Sequence, residues 1–278
     1  MADEKLYWLG FNFLQVRPEI FTSLRKYFGS AAAAWKSGEC DKLIPGLSRA
    51  KNDLDLRSYY FRLREKSIDC YFAGDNLYPD NLFNIDTPPY VIYVKGRLIA
   101  EDRRAVALVG SRRMTVYGRT VCRGLTRDLV RSKFTIVSGL ARGIDSVAHR
   151  TALESGGRTI AVLGGGLDRI YPPENRLLAQ EIVKQGALVS EYPPGMEAKK
   201  ENFPNRNRII AGLSLGVVVV EGTEKSGALI TATCAAEQGR DVFAVPGPIS
   251  SPTAAGPSRL IQNGAKLVYE IDDILDEL

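Results

Sequence analysis

The chain has 278 residues, 45% of them hydrophobic and 25% charged, and its 37 Lys and Arg against 32 Asp and Glu leave a formal net charge of +5. That length buries a sizeable core and accommodates one large domain with a small one beside it, and the ordinary composition excludes collagen-like and disordered chains. Four cysteines scattered at Cys40, Cys70, Cys122 and Cys234 with one histidine, His149, exclude the usual zinc spacings and suit a reducing cytoplasm, and apolar runs such as Val217–Val220 are too short to span a bilayer.

The opening MADEK has no basic stretch followed by an apolar one, so no secretory leader is expected. From Leu6 to about Arg64 the apolar spacing is helical: Leu6, Leu9, Phe13, then Ile20, Leu24, Tyr27 and Phe28. Gly29-Ser30 closes one helix and caps the next, and Pro45-Gly46 breaks the chain before a helix expected around Leu47–Leu56. Residues 1–64 are therefore expected to form a small all-helical module of SAM-like or helix-hairpin-helix character, and residues 65–278 a separate α/β domain. Ile68–Ala73 and Tyr90–Val94 read as strands joined by a turn-rich connector, in which Pro88-Pro89 forces extended chain. These two strands are expected to extend the sheet of the second domain.

The window Arg103–Arg150 holds eleven basic residues against Asp128 and Asp145, a local +9 inside a chain of only +5. Ten of the eleven are arginine, the side chain suited to bidentate phosphate contacts. Within it, the apolar runs Ala105–Val109 and Thr135–Val137 meet the small-residue turns Gly110-Ser111 and Ser138-Gly139. Such turns place backbone N–H groups at the head of the next helix, where anions bind.

Further apolar runs follow at Thr159–Leu163, Leu188–Ser190, Val217–Val220, Val242–Val245 and Leu267–Tyr269. Helix-like segments fill the gaps at Tyr117–Ser132, Asp145–Ser155, Asn175–Gln185 and Gly227–Gln238. The repeat predicts an α/β domain with a largely parallel sheet, helices on both faces and ligands outside the carboxyl ends of the strands.

Several sharper motifs fail in context. Gly164-Gly165-Gly166 lacks the pattern of a nicotinamide fingerprint, and no P-loop occurs, because Gly222–Gly227 is followed by Ala228-Leu229. Gly212-Leu213-Ser214-Leu215-Gly216 matches G-x-S-x-G by letters, but it precedes a strand, and His149 comes before Ser214 in the chain, so a hydrolase is not expected. His149 stands four residues after Asp145, a spacing that predicts a hydrogen-bonded pair on one helix. Arg119, Arg123, Arg127 and Arg131 recur every four residues and form either a solvated face or a rail for phosphates. A second basic cluster, Lys199-Lys200-Glu201-Asn202-Phe203-Pro204-Asn205-Arg206-Asn207-Arg208, sets an aromatic among cations. Phe203 is there either a stacking face for an unpaired base or a core residue. Arg206 and Arg208, two apart, allow one to face a groove while the other packs inward.

The blocks AVALVGSRR, IVSGLARGIDSVAH, TIAVLGGGLDRIYPPEN, NFPNRNRIIAGLS and SGALITATCAAEQGRDVFAVPG resemble, in order, those of the DprA/Smf family of bacterial DNA-processing proteins. The likeness covers residue 68 to the end strongly and the helical N-terminus loosely. It implies an extended Rossmann-like domain that binds single-stranded DNA without catalysing a reaction or needing a cofactor. It also implies a homodimer that helps load the bacterial strand-exchange recombinase during natural transformation. By the same likeness the DNA pocket would use Gly110, Ser111, Arg112, Gly139, Gly143, Lys200, Phe203, Arg206, Asn207, Arg208, Ser226 and Gly227. An apolar end to the domain around Ile261 and Leu267 is expected to pair with a second copy. The alternative from the same superfamily is a nucleoside-monophosphate phosphoribohydrolase or nucleotide-binding protein. Its Gly-rich loop would fall on Ser226–Ala232, where the catalytic acid is missing.

Overall fold

The computed structural model describes residues 3–278. Six helices open it: α1 (Asp3–Phe13), α2 (Pro18–Phe28), α3 (Ala31–Lys36), α4 (Gly38–Leu43), α5 (Leu47–Asp53) and α6 (Leu56–Glu65). Gly29 ends α2 at φ +81°, and the Ser30 hydroxyl accepts the Ala33 N–H at 3.0 Å, so the expected stop and cap are both in place. The single helix expected around Leu47–Leu56 is two, because the Asp55 carboxylate accepts the Arg57 N–H at 3.0 Å and starts a new one.

Strand β1 (Asp69–Phe72), helix α7 (Asp80–Phe83) and strand β2 (Val91–Gly96) follow, then β3 (Ala105–Val109), α8 (Val116–Arg131), β4 (Thr135–Ser138) and α9 (Ile144–Glu154). Next come β5 (Thr159–Val162), α10 (Arg176–Gln185), β6 (Ala187–Ser190), α11 (Asn202–Gly212), β7 (Gly216–Val219) and α12 (Gly227–Glu237). The chain closes with β8 (Asp241–Ala244), α13 (Ala255–Gln262), β9 (Lys266–Leu267) and α14 (Asp272–Leu275).

Among the described residues nine strands form one sheet in the order β1-β2-β6-β5-β4-β3-β7-β8-β9. Strands β3 to β9 lie parallel to one another, and β1 and β2 add an antiparallel edge through the Tyr93–Ser190 pairing, as expected for strands extending the main sheet. Alternation sorts the side chains: Val106, Leu108, Ile136, Val218, Val220 and Phe243 pack with α8 and α9. Ala107, Val109, Val137, Val217 and Val219 pack under Ile209, Ile210, Ala228 and Ala232 of α11 and α12. The central strands are buried on both faces, which is why they read as unbroken apolar runs. Aromatic groups of the helical module, Trp8, Phe11 and Phe21, join Phe72, Tyr90 and Tyr93 in a third core, with Phe21 stacked on Tyr90 at 3.8 Å. Among the described residues no helix is long and apolar enough to cross a membrane.

Helix α11 covers the second basic cluster from Asn202 onward, a stretch the sequence reading leaves without a helix. Pro204 sits in the first turn, where its missing N–H costs nothing. β9 is shorter than the run Leu267–Tyr269, because the Asp273 carboxylate accepts the Tyr269 and Glu270 N–H groups at 2.7 and 2.9 Å and turns the chain away. His149 does not pair with Asp145. Its Nδ1 meets the Thr159 hydroxyl at 2.7 Å, and that hydroxyl donates to the Ile136 carbonyl at 2.8 Å, so Nδ1 is the donor. Buried and with Nε2 unpartnered, the imidazole is held down to about 3 by desolvation and then by the Arg206 charge.

Candidate nucleic-acid interface

The chain builds β3, β4, β5 and β6 outward in one direction, then returns to lay β7 on the other side of β3. The connections leaving β3 and β7 therefore diverge to opposite faces, and the crevice between them opens at their carboxyl ends. A groove of about 740 Å³ lies there, walled by Val109–Arg113 on one side, Phe203, Arg206, Asn207 and Ile210 opposite, and Thr223, Ser226 and Gly227 at its end. The first turn of α12, at Gly227 and Ala228, opens on this groove, while the starts of α8 and α9 carry the carboxylates of Glu221 and Asp145.

The walls are fixed by backbone contacts that follow from small residues. Gly143 has φ +76°, and a Cβ there would strike the Ser111 carbonyl, which accepts the Ile144 N–H at 3.2 Å. The turn after β4 is thereby zipped to the turn after β3. A Cβ on Gly139 would fall on the Arg206 guanidinium, so only glycine lets that arginine lie across the turn. Arg206 donates from Nη1 to the Gly139 carbonyl at 2.7 Å and to the Val162 carbonyl, and from Nε to the Asn207 amide oxygen at 3.2 Å. Asn207 in turn donates to the Gly227 carbonyl at 3.2 Å, which ties α11 to the head of α12. Burial lowers Arg206 to about 10, with Asp145 opposing, so it stays a cation at neutral pH.

Asp145, buried, accepts the Gly139 and Ala141 N–H groups at 3.1 and 3.3 Å and holds the turn's shape. Desolvation pushes its carboxyl up, and the Arg206 charge and those two N–H groups resist the shift. Leu140 between them sits at φ +57°, a conformation that this network over-determines. On the opposite side the Glu221 carboxylate accepts the Thr115 N–H and hydroxyl, both at 2.8 Å, and anchors the start of α8 behind Arg112.

Phe203 is half-buried, with the Arg112 guanidinium 5.3 Å and that of Arg206 5.9 Å from its ring centre. The Tyr171 ring lies 6.0 Å away at 42°. The groove thus brings together Gly110, Ser111, Arg112, Lys200, Phe203, Arg206, Asn207, Ser226 and Gly227, while Gly139 and Gly143 shape its floor from beneath. Arg208 stands apart: it lines a different pocket against the helical module, paired to Glu191. Ile261 and Leu267 lie far along the sheet, at the β8–β9 edge, partly exposed. Arg119 to Arg131 run down α8 away from the groove, and Arg123 meets Glu154 at 3.6 Å.

Sequence reasoning missed Tyr171, Arg113, Pro204, Thr223 and Thr253 as lining residues. Arg113 was legible beside Arg112. Tyr171 lay within the block IYPPEN but carried no charge signal, and Thr253 follows a run with no motif. The exposed cations on the walls are Arg112, Arg113 and Lys200, whereas Arg206 is a buried tie. What the arrangement offers is an aromatic face, open arginines and the N-terminus of α12 in one elongated slot.

Residues 69–278 match the family model of DNA recombination-mediator protein A. The chain is 45% identical over 248 residues to the DNA processing protein DprA of Bacillus subtilis, covering 89% of this chain and 80% of that protein. It is 42% identical over 245 residues to the Streptococcus pneumoniae protein of the same description, covering 84% of this chain and 85% of that one. The X-ray structure of DNA processing protein A from Streptococcus pneumoniae superposes with a TM-score of 0.85 at 36% identity, over 100% of this chain and 98% of that chain. A Helicobacter pylori DNA processing protein A, described for its single-stranded DNA binding mode, superposes with a TM-score of 0.68 at 29% identity, over 75% of this chain and 94% of that chain.

Proposed function

The chain belongs to the DNA recombination-mediator protein A family, and we propose that it binds single-stranded DNA in the groove at the β3–β7 crevice. The observation that carries the reading is Phe203 held between Arg112 and Arg206 at 5.3 and 5.9 Å, in a slot whose other cations are open. A base stacks on an aromatic face irrespective of its identity, and arginine and a helix N-terminus take the phosphates on either side. The slot admits unpaired bases, and a paired duplex presents neither a free π-face nor the width to enter. The protein acts by binding: it covers single strands, works as a homodimer in the cytoplasm through the Ile261–Leu267 edge, and helps load the strand-exchange recombinase in natural transformation.

The test is a salt titration of fluorescence anisotropy with labelled single- and double-stranded oligonucleotides. Tight single-strand binding with a linear log–log salt dependence is expected. Equal affinity for duplex would overturn the reading. Release of free base from nucleoside monophosphates would point to phosphoribohydrolase chemistry instead.

A further inference from the structure

We infer that Arg208 is a strut and not a DNA ligand: its ion pair with Glu191 clamps α11 to the N-terminal helical module, so that module sets the position of the groove wall. The inference rests on reading the groove as the DNA site.

Along α11, residues 203, 206, 207 and 210 form the stripe that faces the groove, whereas 202, 205 and 208 face a second pocket of about 310 Å³. In that second direction the Arg208 Nη2 donates to both Glu191 carboxylate oxygens at 2.6 Å, and Nη1 donates to the Thr87 carbonyl at 2.6 Å. The two side chains are only 17% and 13% exposed. A phosphate taking the place of Glu191 would leave a buried carboxylate without its partner, a change that costs heavily. Among the described residues Arg112 meets no carboxylate in an ion pair, and it stands exposed in the groove.

The pair continues into the helical module. The Glu191 backbone carbonyl accepts the Asn12 side-chain N–H at 3.1 Å, and the Asn12 side-chain oxygen Oδ1 accepts the Tyr93 hydroxyl at 2.8 Å. The Tyr93 and Tyr59 hydroxyls meet at 3.3 Å. From the other side the Gln238 side chain donates to the Arg208 carbonyl at 3.0 Å. A buried polar chain therefore links α6, α1, β2 and the end of β6 to the helix that carries Phe203, Arg206 and Asn207. Buried networks of this kind fix one arrangement only when every member is satisfied. Removing one charge should loosen α11, and removing both together should not.

The experiment is a cycle of Arg208→Gln, Glu191→Gln and the double variant, each measured for single-strand affinity across a salt series. Melting curves confirm that each variant folds. The strut predicts that both single variants bind about tenfold more weakly with the salt slope unchanged, and that the double variant returns to within about threefold of the parent. A phosphate ligand predicts a different pattern. Arg208→Gln would lower the slope by about 0.7, Glu191→Gln would bind as well as the parent or better, and the double variant would stay as weak as Arg208→Gln. That second pattern overturns the inference, as does a double variant that recovers nothing or single variants that change nothing. If a single variant does not fold, recovery of parental binding by the double variant decides the question. The parent and Phe203→Ala are titrated alongside, so a parent that does not bind single strands overturns the groove reading itself, whereas failure of the cycle alone leaves that reading standing.

Discussion

Replacing Phe203 with alanine separates a stacking face from a core residue. The ring is half-buried, contacted by two guanidinium groups at 5.3 and 5.9 Å and by the Tyr171 ring at 6.0 Å, with open groove on its remaining side. Stacking of one base is worth about 1–3 kcal/mol, so affinity should fall by roughly 5- to 150-fold. A fully buried phenylalanine would cost about 3–5 kcal/mol of stability on truncation. Here part of the ring is solvated, and the contact with exposed Arg112 contributes about 0.5–1 kcal/mol, so together with the ring's buried side about 1–2 kcal/mol is expected. At about 2–4 °C per kcal/mol for a chain of this size, the melting temperature should drop by roughly 2–8 °C. No phosphate contact is lost, and the salt slope should be unchanged. Anisotropy titrations at four or five salt concentrations, together with a thermal melt, measure all three quantities. A change in Kd below twofold accompanied by a much larger loss of melting temperature would refute the reasoning and make Phe203 core.

Arg112→Ala should reduce the salt slope by about 0.7 and weaken all single-stranded oligonucleotides alike, as read by the same titration. The triple change Arg119→Gln, Arg123→Gln and Arg127→Gln should alter the slope less than Arg112→Ala alone, because α8 carries these side chains away from the groove; a larger change would make them a rail. His149 has a folded pKa of about 3, below its ordinary 6.5, so its contribution to stability is complete above pH 6.5 and is lost as pH falls toward 3. The loss should approach about 1.4 kcal/mol per pH unit inside that window, and His149→Gln should flatten it in urea melts taken from pH 7 to 4. Light scattering should return a dimer mass at micromolar concentration, and Leu267→Glu, at the exposed β9 edge, should return a monomer without changing the melting curve's shape.

The parallel sheet was legible because its central strands are buried on both faces. That burial forces unbroken apolar runs such as Ala105–Val109 and Gly216–Val219, bounded by small residues where backbones approach closely. The caps were legible for a similar local reason: Gly29 and Ser30 act through their own backbone and side chain on the adjacent turn. One wall of the candidate groove was legible from charge and turn chemistry, since Gly110-Ser111-Arg112 needs no partner to read as an anion-binding turn. Pairing across the chain was not legible. His149 and Asp145 are helical neighbours, yet each finds a better partner from another element, Thr159 for one and the Gly139 turn for the other. The two arginines of NRNR look alike in a linear chain. Only the packing of α11 between groove and helical module sends Arg206 across the glycine floor and Arg208 onto Glu191. Tyr171, 32 residues from Phe203 in sequence, reaches it because β5 and α11 meet at the same sheet edge. Such contacts depend on strand order, and strand order is decided by burying all three cores at once, which no single stretch of sequence encodes.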